Sequence, residues 1–150
     1  MPGTSINKTL TALAGEFLVA GKLCAQGYLA SLTLKNYPKV DIFVLNPKNG
    51  QQTTIQVKTI RKKAKNPKYD GYFLPEDIDE SAPYFVFVYI IDDEKVNFYI
   101  MIKSDIKNIS DKIRDDYIEK HKNANPKQPR MLSINDISDY KDKWSSINLE

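Results

Sequence analysis

Residues 40–60 read VDIFVLNPKNGQQTTIQVKTI, two apolar-rich runs around a polar break. Val40 to Asn46 and Thr53 to Ile60 have strand composition, and Asn46-Pro47-Lys48-Asn49-Gly50 is turn-forming by composition. The segment predicts a β-hairpin. If Asn46 pairs with Gln51 across a four-residue loop, Asp41 lies opposite Gln56. Opposed side chains on such a pair have Cβ atoms about 4.5–5.5 Å apart. Alternation puts Gln56 and Lys58 on one face of the strand and Ile55 and Val57 on the other. One face of the hairpin is thus expected to present Asp41, Gln56 and Lys58 together. A one-residue slip would break that set.

Outward from the hairpin, the pattern gives the rest of the fold. On the N-terminal side, Ser5 or Asn7 can cap a helix running to about Gln26, with Gly27 as its stop. That helix is apolar almost all round, so it is expected to be covered on more than one side, with Cys24 in the core. Tyr28 to Leu34 reads as a strand. Residues 61–83 read as a long irregular connection, a length that often carries function. Tyr84 to Ile91 is a nearly continuous apolar strand, as expected where both faces are covered. Asp92-Asp93-Glu94-Lys95 turns the chain into a returning strand, Val96 to Ile102. Ser104 or Asp105 opens an amphipathic helix to about Lys120, followed by a polar loop over 121–131. A short closing helix is expected from Asn135 to Trp144, with Tyr140 and Trp144 packing it on the core. The fold class is α/β (α+β): one domain over 1–150, with a mixed central sheet of about five strands flanked by helices.

The 150-residue length fits one domain, and 41% hydrophobic with 27% charged residues excludes disorder, collagen and coiled coil. The longest apolar run, Tyr84 to Ile91, is too short for a bilayer span. Glu16 and Lys22 interrupt the apolar stretch from Leu10 to Ala25, making it a poor signal peptide. A lone cysteine excludes an internal disulfide and suggests a reducing, cytoplasmic setting. With one Cys and one His (His121, expected exposed and idle), no Cys/His zinc site can form. The chain has no Walker loop, no G-x-G-x-x-G and no G-x-S-x-G, so no small-molecule cofactor is indicated.

Charge is unevenly spread. Residues 1–70 carry 11 Lys/Arg against 3 Asp/Glu, whereas residues 71–119 carry 5 against 12. The basic front half suggests a polyanion-facing surface. Its three acids are Glu16, Asp41 and Asp70. Glu16 falls inside an apolar helix, where a carboxylate needs a partner; Lys22 is the expected one. Asp41 precedes Ile42-Phe43-Val44-Leu45 in a strand that disfavours Asp. Acids in such places mark a site. Two carboxylates, an amide oxygen and backbone carbonyls would suit a hard divalent cation. A lysine beside it could hold a water or stabilise charge on a phosphate, which is equipment for phosphodiester hydrolysis.

Here the chain resembles the PD-(D/E)xK nuclease superfamily in its small bacterial members, with Gln replacing the second acid. Pro38-Lys39-Val40-Asp41 resembles a stretched "PD" half, and Ile55-Gln56-Val57-Lys58-Thr59 the QxK strand. Gly15-Glu16 with Val19-Ala20 is similar to the helix that supplies a further acid. The Tyr84–Val88 and Asn97–Ile100 strands also fit, so the likeness spans roughly residues 10–105. It implies a restriction-endonuclease-like core and metal-dependent cleavage of DNA. It implies Glu16, Asp41, the Val57 carbonyl and Gln56 as ligands of Mg²⁺ or Mn²⁺. Lys58 would be the catalytic lysine, with Gln56 a weak ligand or water-holder. DNA is the implied partner, with RNA left open, and a homodimer is a family expectation. Gln56 is the departure: a neutral amide cannot act as a base.

Arg61, Lys62, Lys63, Lys65 and Lys68 lead out of this strand and could neutralise phosphates. Tyr69, Tyr72 and Phe73 follow and could stack on bases. The acidic run Glu76, Asp77, Asp79 and Glu80 reads as a solvated turn, placed to mask the basic loop when no ligand is bound. Two other readings stay open: a catalytically inactive nucleic-acid-binding module, and a protein-interaction domain in which Glu16 and Lys22 simply pair in the core.

Overall fold

The computed structural model describes residues 6–34, 37–125, 127 and 129–150. Asn7 accepts the Thr9 N–H on its side chain at 2.7 Å and so caps helix α1, Lys8–Ala25. The alternative cap Ser5 lies outside the described residues. Gly27 follows with φ +95°, the left-handed turn that ends a helix. Thr11, Gly15, Val19 and Leu23, spaced four apart, form the buried stripe of α1.

Five strands follow the expected plan: β1 Leu29–Leu32, β2 Ile42–Leu45, β3 Gln52–Arg61, and, after β4 Gly71–Phe73, β5 Tyr84–Ile90 and β6 Val96–Ile102. Their order in the sheet is β1-β2-β3-β5-β6. Only β3 and β5 run parallel, so the sheet is mixed. The hairpin register is the expected one, with Ile42 paired to Ile55 and Leu45 to Gln52. Its loop closes through Asn46 N–H to Gln51 O at 2.8 Å, and Gly50 takes the φ of +75° that the turn requires. Asn46 and Asn49 side chains both donate to the Leu149 carbonyl at 2.9 Å, tying the C-terminus to this loop.

The sheet has a core on each face. Ile55, Val86, Val88 and Ile90 meet Val19 and Leu23 of α1, together with Ile147 and Leu149. Phe85, Phe87 and Tyr89 meet Ile106 of α2, Lys103–Lys120, together with Leu132 and Ile137. Each fully buried Leu, Ile or Phe contributes about 1.5–3 kcal/mol. The two-sided burial of β5 is why its sequence is apolar without alternation.

Four expectations about local structure are corrected. The 61–83 connection is a built crossover, with single helical turns at Pro67–Tyr69 and Ile78–Glu80 around β4. Strand β4 pairs with β7, Met131–Ser133, which begins at the last residue of what reads as a polar loop over 121–131. Both strands are three residues long, too short to show a period. The closing helix is replaced by two short turns, Ser138–Tyr140 and Trp144–Ser146, although Trp144 does pack on Phe98 at 5.5 Å between ring centroids. Helix α1 is covered on one side only: Leu10, Phe17 and Leu18 are exposed, as is Cys24, because the sheet reaches a single stripe.

Candidate active site

At the open end of the hairpin, β2 parts from β3. Asp41 still donates its N–H to the Ile55 carbonyl at 2.9 Å, and its own carbonyl accepts from the Thr33 N–H. If the ladder ran on, the Val57 N–H would meet the Val40 carbonyl. That carbonyl instead accepts from Thr33 Oγ1 at 2.6 Å, and the Asp41 carboxylate takes the Val57 N–H at 2.7 Å. Lys39, just upstream, has φ +67°, part of the same bend. Its ammonium is held by Asp77 and by Glu80 at 2.7 Å. The acidic turn therefore binds Lys39, and through Asp79 also Lys107, rather than masking the basic loop. These contacts raise Lys39 above the usual lysine range and hold Asp77 and Asp79 below the usual carboxylate range.

A cavity of about 370 Å³ opens beside this bend, lined by Lys8, Ala12 and Glu16 of α1 and by Thr33, Tyr37 and Asp41. Lys8, Ala12 and Glu16 share one flank of the helix through their spacing of four. Gly15 sets how near that flank comes: a Cβ there would stand 2.8 Å from the Thr59 Cβ. Glu16 and Asp41 thus face a common space. Lys22, the expected partner of Glu16, sets its Nζ 5.6 Å from the Phe98 ring centroid.

Partial burial raises the Asp41 carboxyl above its ordinary range, against the lowering effects of the Val57 N–H and the Lys58 charge. Lys58 therefore acts electrostatically on Asp41. Lys58 and Gln56 do not line the cavity. Their register partners on β5, Phe87 and Phe85, belong to the α2 face, whereas α1 covers the Val57 face. Gln56 is buried, and its Oε1 has no hydrogen-bond partner among the described residues. The structure brings together Glu16, Asp41 and the Val57 backbone, with Lys58 in electrostatic range.

Among the described residues no three His, Cys, Asp or Glu side chains gather as a metal-binding group. Two carboxylates with neutral oxygens nonetheless match Mg²⁺, which is usually held by one or two carboxylates plus waters and substrate phosphates. The desolvated Asp41 is the feature that a cation in this cavity would relieve.

The basic segment has a fixed base. Asp70 is buried and accepts the N–H groups of Lys63 at 3.1 Å and Ala64 at 3.2 Å, and the Tyr89 hydroxyl at 2.7 Å. Burial and this carboxylate raise Tyr89 far above the usual phenol range. Asp70 was visible in the sequence as one of three front-half acids, but nothing there gave it a role. Arg61 donates from Nε to Thr11 Oγ1 at 2.9 Å, whereas Lys62, Lys63, Lys65 and Lys68 are exposed. Tyr69 is 72% exposed and Phe73 63% exposed. Tyr72 is not available to a base: it is 2% exposed, and its hydroxyl donates to the Val88 carbonyl at 2.8 Å. Alternation along β4 turns it inward while Phe73 turns outward.

No protein-family model matches the chain, and no curated protein matches it by sequence. By structure it is similar to a bacterial homing endonuclease, I-Ssp6803I, with TM-score 0.52 and 14% identity over 66% of this chain and 71% of that one. At that identity the likeness is one of fold. No described helix is long and apolar enough to cross a membrane.

Proposed function

We propose that the chain is a metal-dependent endonuclease of the PD-(D/E)xK type that hydrolyses phosphodiester bonds in DNA. The observation that carries this reading is that Glu16 of α1 and Asp41 at the end of the hairpin line one cavity while Lys58 acts on Asp41. The shared fold with a homing endonuclease agrees with it.

Glu16, Asp41 and the Val57 carbonyl are the groups that would hold Mg²⁺ or Mn²⁺, with Gln56, on the α2 face, standing apart from them. The cation, when bound, supplies positive charge against the scissile phosphate. Lys58 as an ammonium orients a water or stabilises negative charge on the phosphate. The exposed lysines of 62–68 grip the backbone and give salt-dependent affinity.

The test is plasmid nicking in Mg²⁺ or Mn²⁺ by the parent, Asp41→Asn and Lys58→Ala. The parent nicks and each variant loses a hundredfold or more, the scale of losing an electrostatic catalytic group. A parent that does not nick, or three equal activities, removes the enzymatic reading. A second reading rests on Gln56, whose amide cannot replace a carboxylate: a module that binds DNA without cutting it. Salt-sensitive DNA binding indifferent to metal and to Asp41→Asn would select it.

A further inference from the structure

A second cavity, about 430 Å³, opens on the other side of the α1 N-terminus. Its volume falls in the roughly 300–1,000 Å³ range of small-ligand clefts. Its walls combine cations (Lys8, Arg61, Lys63) with apolar surface from Tyr69, Phe73 and Met131. Tyr69, Phe73 and Met131 are 72%, 63% and 46% exposed, unusual for three large apolar groups converging on one cleft. Lys68 places its Nζ 4.8 Å from the Tyr69 ring centroid. The wall is braced: Thr11 fixes Arg61, and Asp70 pins the chain at Lys63 and Ala64.

Lys8 lines both this cleft and the Glu16–Asp41 cavity, so the two adjoin across the first turn of α1. That turn contains no acidic residue, and a helix N-terminus favours anions. A chain of phosphates leaving the Glu16–Asp41 cavity past Lys8 meets Arg61 and Lys63 along the cleft, where the Asp70 carboxylate is engaged by the Lys63 and Ala64 N–H groups, whereas an apolar peptide would leave these three cations unmatched.

We propose that this cleft takes an unpaired nucleotide of the DNA, its base against Phe73 and Tyr69 and its phosphate on Arg61 and Lys63. The inference rests on the nuclease reading and narrows its substrate to DNA carrying a single-stranded arm beside the cut site. A base stacked within a duplex presents only its edge and cannot lie against these rings, so an intact duplex leaves the cleft empty.

The test compares binding, without divalent metal, of a blunt duplex and the same duplex with splayed unpaired arms. 2-Aminopurine in one arm reports stacking. The parent binds the splayed DNA about 5-fold tighter or more, the lower bound for stacking one base, and quenches the probe. Phe73→Ala and Tyr69→Ala, both at exposed positions, lose the preference and the quenching but keep the blunt affinity within 2-fold. Equal affinity of the parent for both DNAs overturns the inference and leaves the nuclease reading standing. So does a Phe73→Ala protein that binds both DNAs as the parent does, the result for a protein-docking face. Absence of DNA binding at any salt by a folded parent overturns both.

Discussion

The carboxylate of Asp41 and the backbone N–H of Val57 lie 2.7 Å apart, so a side chain completes a ladder that the main chain of β2 has left. This contact anchors Asp41 where β2 and β3 diverge, at the mouth of the cavity it shares with Glu16. The same burial that anchors it makes the ionised form costly.

That cost has a sign. The folded pKa of Asp41 is raised, chiefly by burial, so the native state holds its proton more tightly than the unfolded chain does. Stability therefore falls as pH rises through the ordinary carboxylate range to the raised value, and stays lowered above it. Asp41→Asn keeps an acceptor for Val57 and removes the charge. It is expected to melt about 2 °C or more above the parent at pH 7, a shift that ~1 kcal/mol produces in a domain of this size. The gain vanishes below the ordinary range. Asp41→Ala, which strands the Val57 N–H, melts below Asp41→Asn by the equivalent of about 1–3 kcal/mol. Thermal melts across pH check the order, and an Asn variant less stable at pH 7 refutes it.

Lys58 lowers the Asp41 pKa from the β3 side. Lys58→Met is expected to move the Asp41 titration to still higher pH, because only desolvation and the Val57 N–H then remain. A ¹³C-detected carboxyl titration reads this directly. An unchanged midpoint would place Lys58 too far away to serve the same phosphate.

Asp70 organises the basic segment from below. Asp70→Ala leaves three donors without their acceptor, and a cost of about 2–4 kcal/mol is expected, since hydrogen bonds to a charged group contribute more than neutral ones. Amide exchange at Lys63 and Ala64 should accelerate well before that of β3. If protection at these two amides survives, something other than Asp70 holds the loop.

How far the sequence reveals this arrangement depends on where the signal sits. The Asn46–Gly50 turn and the alternation of 53–60 are local, so the hairpin register, and with it the pairing of Ile42 with Ile55, is legible. Strand β5 is legible because two-sided burial leaves an apolar run. Tyr72 is not: three residues of β4 carry no period, and its burial depends on β7, some sixty residues later. The exposed face of α1 is likewise hidden, because composition records that a helix is apolar and not how many neighbours reach it. Glu16 and Asp41 stand out as acids in unfavourable places, but their meeting needs the helix to pack close, and one residue controls that.

That residue is Gly15. A Cβ at this position would meet Thr59 of β3 at 2.8 Å from its Cβ, and an atom bound so near the backbone cannot rotate away. Gly15→Ala must push α1 outward, at a cost of about 1–3 kcal/mol for overpacking. The displacement draws Glu16 away from Asp41. Under the nuclease reading, nicking falls further than the loss of folded protein explains, even at temperatures where circular dichroism shows a native spectrum. Thr59→Ala in the same chain removes part of the clash and should recover part of both the melting temperature and the activity. On its own, Thr59→Ala removes a hydroxyl that is buried without a partner among the described residues, so it should cost little. A Gly15→Ala protein with parental stability and parental nicking would mean that the helix has room to spare, and that close packing of α1 on β3 does not set the site.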